Sequence, residues 1–251
     1  MAAEPFLTVK QLTKRYGGVF AVDGIEFDLY KGDFLGVIGP NGSGKTTLVN
    51  LITGFVKPDE GEIVYRGNDI TSKPPHRIAN LGIARTFQMV KPFHNMSAYK
   101  NIIIPLYSPR VKKQPGGRYG QRTHFALDLL GEVGFKRDSA IPYRTAGSLP
   151  HGYLKRMELA RCMALNPDII ILDELFSGMS MSEVAGTIPI IKRLREEGIT
   201  MIVIEHRLKE LFRIANRIIV LNFGRKIAEG SPKEVMEEES VKKAYLGSEV
   251  E

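Results

Sequence analysis

The chain has 251 residues, of which 43% are hydrophobic and 25% are charged, and this composition is typical of a globular protein with a sizeable core. It excludes a disordered tail, a collagen-like repeat and a small disulfide-stabilised scaffold. The formal net charge of +7 is compatible with binding to phosphates, nucleic acid or an anionic membrane surface, and it selects none of them.

The same features predict a cytoplasmic protein. The single cysteine, Cys162, cannot form an internal disulfide, and we interpret it as a small buried packing residue. The first residues, MAAEPFLTVK, lack the basic start and the apolar stretch of a secretory signal. No apolar run approaches the roughly 20 residues that span a bilayer. Any membrane role would therefore come through a partner.

The N-terminal third predicts strands and turns. Apolar residues alternate over 6–9 and 20–29, and the continuous apolar run 34–38 is typical of a strand buried on both faces. That run leads through a glycine-rich turn into a helix predicted over 46–55. Another short strand is predicted over 61–65.

The middle of the chain predicts helices joined by one long loop. Its proline and glycine content indicates an exposed loop over 107–122. Helices are predicted over 123–133 and 152–165, and Asn166 and Pro167 end the second one.

The last third alternates between strands and helices. Strands are predicted over 169–172, 200–204, 217–221 and 226–229, and helices over 182–197 and 207–215. This alternation is typical of an α/β fold in which helices cover both faces of a mostly parallel sheet.

Residues 39–46 read GPNGSGKT and match the phosphate-loop pattern G-x-x-x-x-G-K-[ST] in full, with a buried strand before and a helix after. Gly42 and Gly44 let main-chain amides converge on phosphate oxygens, and the positive end of the helix adds to the attraction. Lys45 supplies a point charge for the β and γ phosphates, and Thr46 presents a hydroxyl to Mg²⁺. The sequence therefore predicts a nucleoside triphosphate site.

A second motif, an apolar strand that ends in acids, accompanies such a loop in nucleotide hydrolases. The run 169–172 is followed directly by Asp173 and Glu174. Asp173 would hold Mg²⁺, mostly through its water shell, and Glu174 would polarise the attacking water.

With these motifs in this order, the chain resembles the ATP-binding-cassette (ABC) ATPases over essentially its whole length. The resemblance implies a P-loop NTPase (RecA-like) core with a mostly parallel sheet, a small N-terminal antiparallel β-subdomain and an inserted α-helical subdomain. The implied boundaries are 1–88 with 166–235 for the core, 89–165 for the helical subdomain and 236–251 for a C-terminal tail.

The resemblance also implies roles for single residues in binding ATP and Mg²⁺. Tyr16 would stack on adenine, Gln88 would contact Mg²⁺ and the attacking water, and His206 would contact the γ-phosphate. The catalytic residues are then Glu174, His206 and Gln88, and the metal ligands are Thr46, Gln88 and Asp173. The nucleotide-binding residues are Tyr16, Gly39, Pro40, Asn41, Gly42, Ser43, Gly44, Lys45, Thr46, Thr47, Leu149, Pro150, His151 and Gly152.

The helical signature of the family, usually Leu-Ser-Gly-Gly-Gln, falls on residues 149–153, which read LPHGY. Pro150 provides neither a hydroxyl nor an N–H, while Gly152 keeps an amide at the start of a helix. His151 would donate a replacement hydrogen bond.

Two further departures follow the acidic motif. Leu175 stands where a proline is usual, and Ser180 stands where the subunit-contact loop normally has Asp. We expect them to affect hydrolysis rate and dimer coupling rather than nucleotide binding.

Within the family, the chain is most similar to the ATPase subunit of branched-chain amino-acid importers. The stretches that carry this similarity are GIARTFQ at 82–88, IEHR at 204–207 and AYLG at 244–247. It implies two partners, a second cassette that completes each ATP site and transmembrane permease subunits that hold the chain at the cytoplasmic face of the membrane. Residues 88–99 would receive the permease helices, or would instead form a partly buried internal loop.

Two alternatives stay open at this point. The chain could be a soluble cassette that acts on nucleic acid or the ribosome, although it has no block of five or six consecutive basic residues. It could also be a weakly hydrolysing regulatory cassette paired with a more active sister, as the departures at Pro150, Tyr153, Leu175 and Ser180 suggest.

Overall fold

The computed structural model describes residues 4–112 and 121–246. The strands are β1 Leu7–Tyr16, β2 Val19–Leu29, β3 Phe34–Ile38, β4 Glu60–Tyr65, β5 Asn68–Asp69, β6 Ile83–Arg85, β7 Ile169–Asp173, β8 Thr200–Ile204, β9 Arg217–Asn222 and β10 Arg225–Gly230. The α-helices are α1 Lys45–Ile52, α2 Pro75–Leu81, α3 Ala98–Ile103, α4 Pro109–Lys112, α5 Arg122–Glu132, α6 His151–Met163, α7 Met181–Glu196, α8 Leu208–Leu211, α9 Pro232–Glu237 and α10 Glu239–Leu246.

The chain divides into two compact units. The first comprises Met1–Ile78 and Thr200–Glu251, and the second comprises Ala79–Ile199. The subdomain boundaries implied by the family resemblance stay a prediction.

The first unit contains an antiparallel sheet and a group of mainly parallel strands, as the sequence predicted. The antiparallel sheet has the strand order β2-β1-β4-β5. In the second group β3 pairs in parallel with both β8 and β9, and β10 adds to β9 in antiparallel orientation. All five residues of β3 and all five of β8 are buried, which explains why both read as continuous apolar runs.

The register of β3 and β8 sets the positions of the loops that follow them. Val37 pairs with Ile204 in this parallel ladder. Gly39 lies two residues after Val37, and His206 lies two residues after Ile204. The two segments therefore leave the sheet at the same edge. Since neighbouring strands lie about 4.8 Å apart, the phosphate-loop pattern and the predicted switch histidine start from adjacent positions.

The second unit repeats this arrangement on a smaller scale. Its strands β6 and β7 are parallel, with Ile83 opposite Ile169 and Arg85 opposite Ile171. Helix α3 packs against α5 and α6, and the inner faces of these helices are formed by buried side chains such as Ile102, Leu130 and Met157. Gln88 follows the carboxyl end of β6, and Asp173 and Glu174 lie at the carboxyl end of β7. Because the two strands are parallel, these residues lie at the same edge.

Most predicted elements are confirmed, and the differences have local causes. The helix predicted over 207–215 is wrong in its length, because α8 ends at Leu211. Beyond it the amides of Arg213 and Ile214 bond three residues back rather than four, which tightens and ends the helix. Asn216 then exchanges hydrogen bonds with the main chain of Phe34 and directs the chain into β9.

The loop predicted over 107–122 is wrong for most of the residues that the structure describes. A 3-10 turn covers Ile104–Tyr107, and α4 and α5 occupy the two ends of the predicted loop. The remaining residues, 113–120, lie outside the described part of the chain.

The conformation of the glycine-rich turn leads to a stability prediction. Gly42 and Gly44 both have positive φ, 77° and 104°, but a Cβ on Gly42 would meet open space whereas one on Gly44 would lie 2.2 Å from the Ala21 carbonyl oxygen. We expect Gly42→Ala to lower the free energy of unfolding by about 1 kcal/mol through φ alone. Gly44→Ala should cost about 3 kcal/mol because the main chain must also move.

Urea denaturation of the two variants beside the wild type measures this difference. Equal losses for the two substitutions would show that close approach of the main chain plays no part at Gly44.

Candidate functional site

The phosphate-loop pattern forms a tight turn between β3 and α1. Gly44 adopts a left-handed conformation as the N-cap residue of α1, and the helix covers Lys45–Ile52, against the predicted 46–55. The Ser43 amide bonds to the Pro40 carbonyl oxygen at 3.2 Å, which closes the turn. The first-turn amides of α1 consequently lie at the mouth of this loop, where the helix dipole favours an anion.

Lys45 is buried, with 6% of its surface exposed, and its ammonium lies inside the turn. The Nζ atom donates to the carbonyl oxygens of Gly39 at 2.8 Å and Pro40 at 2.9 Å. A positive charge is thus held against the main chain of the loop. Phosphate oxygens can compete for the same ammonium because they carry a negative charge, which adds an attraction between opposite charges to the hydrogen bond.

Gly39 has a packing role that sequence reasoning missed. A Cβ at this position would lie 2.1 Å from the Leu221 carbonyl oxygen of β9. The loop is also tied to the turn after β9, since the Gly224 amide donates to the Ser43 carbonyl at 3.1 Å. The pattern in the sequence fixes glycine here but gives no sign of which strand it approaches.

Tyr245 in α10 also contacts this loop and was noted in the sequence only as part of the AYLG stretch. Its hydroxyl accepts a hydrogen bond from the Gly39 amide, and burial raises the pKa of its phenol. The C-terminal helix of the first unit is therefore in direct contact with the phosphate loop.

The other predicted nucleotide-binding residues of the first unit are accessible. Thr46 and Asn41 are exposed, Thr47 is half-buried, and His206 is exposed just after β8. Tyr16 ends β1 with 51% of its surface exposed, and the Lys14 ammonium lies 5.7 Å from the centre of its ring. An exposed aromatic ring with a neighbouring cation suits stacking on a nucleobase.

In the second unit, Asp173 lies at the end of β7 and is paired with Arg85. The Arg85 guanidinium donates to Asp173 Oδ2 at 2.7 Å, and both side chains are almost fully buried. The Thr86 hydroxyl accepts from the Asp173 amide at 3.0 Å. The guanidinium partner holds the Asp173 side chain in one position, and its carboxyl oxygens have further lone pairs that could serve a cation.

Glu174 and Gln88 come together at the same edge. Gln88 Nε2 donates to Glu174 Oε2 at 2.9 Å. Glu174 has a φ of 50°, a left-handed conformation that is uncommon for a residue with a long side chain. Residues held in such conformations cluster at functional sites, where the surrounding structure offsets a cost of about 1–3 kcal/mol.

Lys155 and Glu158 lie on one face of α6 beneath this pair, and neither was identified from the sequence. Lys155 is fully buried and donates to the carbonyl oxygens of Phe87, Gln88 and Glu174. Glu158 is 3% exposed, and burial raises the pKa of its carboxyl to about 7. Their i, i+3 spacing is the one signal that the sequence offered, since their burial is visible only in the folded chain.

The signature segment forms the N-terminus of α6. Pro150 is the N-cap residue, and the amides of Tyr153 and Leu154 both bond to its carbonyl oxygen. The amides of His151 and Gly152 also belong to the first turn of α6. Main-chain amides in this position of a helix can bind an anion. His151 Nε2 lies 3.2 Å from the Ser177 carbonyl oxygen, so the ring nitrogen expected to donate to phosphate has a main-chain partner.

A carboxylate lies directly beside the signature glycine. A Cβ on Gly152 would be 2.0 Å from Glu183 Oε1, so a larger residue there would displace the Glu183 carboxylate. Hydrogen bonds from the Ser180 amide and hydroxyl lower the pKa of Glu183 and keep it ionised. The predicted anion site at the N-terminus of α6 is thereby flanked by a negative charge.

The three other departures from the family pattern have local structural explanations. Ser180 is the N-cap of α7 and forms a capping box with Glu183, a role that Ser and Asp fill about equally well. Leu175 is 1% exposed and packs in the core of the second unit. Tyr153 packs edge-on against Phe135, with ring centres 4.9 Å apart.

The segment 88–99, predicted to be either a docking surface or an internal loop, contains both buried and exposed apolar side chains. Pro92 is buried, whereas Met89 is 75% exposed and Phe93 is 45% exposed. The fully buried Asn101 holds the turn by accepting from the Phe93 amide and donating to the Ser97 carbonyl. The apolar side chains are therefore presented on a well-braced turn.

Two features are absent from the described ranges, 4–112 and 121–246. They contain no group of three or more His, Cys, Asp or Glu side chains placed to hold a metal ion. Their helices are also too short or too polar to cross a membrane.

Sequence comparisons identify similar proteins over nearly the whole chain. A family model described as "ABC transporter" matches residues 22–177, and one described as "Branched-chain amino acid ATP-binding cassette transporter" matches residues 225–251. The high-affinity branched-chain amino acid transport ATP-binding protein BraF of Pseudomonas aeruginosa is 36% identical, and the match covers 98% of this chain and 99% of BraF.

Solved structures show the same similarity. The ADP conformation of an ATP-binding cassette of an ABC transporter matches with a TM-score of 0.84 and 32% identity, covering 98% of this chain and 100% of the other. A dimeric post-hydrolysis cassette bound to ADP and Pi matches with a TM-score of 0.79 and 25% identity, over 90% and 98% of the two chains.

The raised pKa of Glu158 predicts how stability depends on pH. The carboxyl has a pKa of about 7 in the folded chain, whereas the pKa of an exposed glutamate carboxyl is 4.5. Below pH 4.5 it is neutral in both states, and between pH 4.5 and 7 only the unfolded chain ionises, so stability falls as pH rises. We expect Glu158→Gln to remove this loss, which amounts to about 3 kcal/mol at most.

Chemical denaturation of wild type and Glu158→Gln from about pH 4.5 to 8 measures the difference, which should grow with pH. The exposed Glu196→Gln on α7 provides the control and should stay parallel to wild type. A constant difference between Glu158→Gln and wild type at all pH values would contradict the burial effect.

Proposed function

This chain belongs to the ABC transporter family, and from that membership we propose that it is the ATP-hydrolysing subunit that powers a membrane importer of branched-chain or related amino acids. The observation that carries the proposal is the phosphate loop with the Lys45 ammonium held inside it. The names of the relatives and the match over residues 225–251 support the amino-acid substrate.

Nucleotide binding is proposed to rest on the first unit. The first-turn amides of α1 and the Lys45 ammonium would bind the β and γ phosphates, and the exposed ring of Tyr16 would stack on adenine. Tyr245 and Gly224 brace the loop from outside, so the phosphates would meet a turn that is already formed.

Hydrolysis is proposed to depend on Glu174, Gln88 and His206. The hydrogen bond from Gln88 to Glu174 leaves the carboxylate able to accept a proton from water, and His206 would contact the γ-phosphate. Mg²⁺ would supply charge neutralisation at the phosphates. The candidate ligands fit this ion, because the Asp173 carboxylate, the Gln88 amide and the Thr46 hydroxyl are hard oxygen donors.

A second cassette is proposed to complete each ATP site. The dimeric cassette structure supports such an assembly. The amides of His151 and Gly152 at the N-terminus of α6 would then face the γ-phosphate bound by the partner. ATP would favour the closed pair, and loss of the γ-phosphate would release it.

Transmembrane permease subunits are the second proposed partner, and they would hold the chain at the cytoplasmic face of the membrane. The exposed Met89 and Phe93 on the braced turn offer an apolar surface for a short permease helix. Nucleic acid is not an expected partner.

One observation favours a second candidate function, a weakly hydrolysing cassette with a more active sister. Pro150 supplies neither a hydroxyl nor an N–H to the signature segment, and the ionised Glu183 lies beside Gly152. A negative charge there would oppose a γ-phosphate and slow the closure of the pair.

Two substitutions separate binding from hydrolysis. We expect Lys45→Ala to weaken MgATP binding by tenfold or more, since a hydrogen bond to a charged group contributes about 1.5–3 kcal/mol. Glu174→Gln should keep binding and lower turnover roughly 10²- to 10⁴-fold. The exposed Lys10→Ala is the matched control and should change neither quantity.

Titration calorimetry with a nonhydrolysable ATP analogue and a phosphate-release assay provide the two readouts. Unchanged affinity in Lys45→Ala would overturn the nucleotide assignment. Equal and negligible turnover in wild type and Glu174→Gln would favour the weakly hydrolysing cassette instead.

The substrate is tested with the intact transporter. The chain is purified with its membrane partners and reconstituted in liposomes, and ATP-dependent uptake of leucine, isoleucine and valine is compared with uptake of lysine. We expect uptake of the branched-chain amino acids with wild type and none with Glu174→Gln. Uptake of lysine alone would overturn the branched-chain assignment and leave the ATPase assignment intact.

A further inference from the structure

A single buried side chain, Lys155, joins three segments that meet below the Gln88–Glu174 pair. Its ammonium donates to the carbonyl oxygens of Gln88 at 2.8 Å, Glu174 at 3.0 Å and Phe87 at 3.4 Å. Lys155 itself belongs to α6, the helix that begins with the signature segment. The loop after β6, the end of β7 and the signature helix are thus connected through one group.

The cost of burying this charge indicates that the contact is specific. Lys155 has 0% of its surface exposed, and an ammonium without partners in such a position is strongly unfavourable. Three carbonyl oxygens match the three donors of the group. Burial raises the pKa of the Glu158 carboxyl, one turn along the same face of α6, and the nearby charge of Lys155 partly opposes that rise. The surroundings are therefore arranged around a cation.

The bonds to Lys155 fix the main chain of the two residues proposed to act on the attacking water. The Gln88 and Glu174 side chains are bonded to each other, and their carbonyl oxygens are bonded to the same ammonium. Glu174 also has the left-handed φ of 50°, which needs support from its neighbours. Removal of the ammonium would release both main-chain segments together.

We propose that Lys155 is a positioning residue that couples the signature helix to the Gln88–Glu174 pair. A displacement of α6 on contact with a second cassette would move the ammonium and, through it, both residues of the pair. This inference rests on the proposed ATPase function and deepens it. It assigns to α6 a part in hydrolysis within its own subunit, in addition to any contact with the partner's nucleotide.

Arg161 offers a matched comparison on the same helix. It also donates from α6 to a main-chain carbonyl, that of Lys91 at 3.1 Å, but it contacts neither Gln88 nor Glu174. Substitution of Arg161 therefore removes a tie of similar chemistry without touching the pair.

The test compares Lys155→Met, Lys155→Gln and Arg161→Gln in the full chain. Methionine retains the apolar stem and has no donors, whereas glutamine keeps two. We expect Lys155→Met to lower kcat by roughly 10- to 100-fold with KM and MgATP affinity unchanged, because small misplacements of catalytic groups cost about this much. Lys155→Gln should recover part of the loss, and Arg161→Gln should match wild type.

A second measurement separates positioning from a general loss of stability. In a double-mutant cycle the losses in kcat from Lys155→Met and Gln88→Ala should be less than additive, since both disturb the same pair. Additive losses would overturn the inference, as would wild-type kcat in Lys155→Met or Lys155→Gln.

Folding of each variant is checked by circular dichroism and by affinity for the nonhydrolysable analogue. If Lys155→Met does not fold, Lys155→Gln decides the matter by the same criteria. Failure of both to fold would assign Lys155 to the core of the second unit and overturn the positioning role. Absence of turnover in the wild type would instead count against the proposed ATPase function.

Discussion

Lys45 in the first unit and Lys155 in the second each place a buried ammonium against main-chain carbonyl oxygens at the end of a parallel strand. An ammonium has three donors and no acceptor, so it can join separate chain segments through atoms that every residue type provides. The loops that follow β3, β6 and β7 are therefore held by their main chains. Their side chains remain available for binding and chemistry.

The departures at the signature segment and the subunit-contact loop are accommodated locally. Ser180 retains the N-cap function, Leu175 packs in the core, and Tyr153 packs on Phe135. These residues take part in capping and packing within the second unit, although they differ from the residues usual at these positions. Substitutions in this part of the chain can therefore change the rate of ATP hydrolysis proposed above without changing the fold.

Much of the fold follows from the sequence, and the parts that do not depend on tertiary contacts. The buried strands and the phosphate loop are local patterns, so their positions could be predicted closely. The early end of α8 could not, because the chain beyond it is directed into β9 by the bonds between Asn216 and Phe34, which is distant in sequence. At the site, Glu174 and Gln88 were predicted from motif order. Arg85, Lys155 and Glu158 were missed because only the folded chain reveals their burial and partners.

Cys162 has a practical consequence for spectroscopy. It is the single cysteine of the chain, it is buried in α6, and burial raises the pKa of its thiol, so little of it is present as the reactive thiolate. A thiol introduced at an exposed position would react with a maleimide dye or a spin label well before Cys162. Distances within a cassette pair can therefore be followed by fluorescence transfer or electron paramagnetic resonance without first removing the native cysteine.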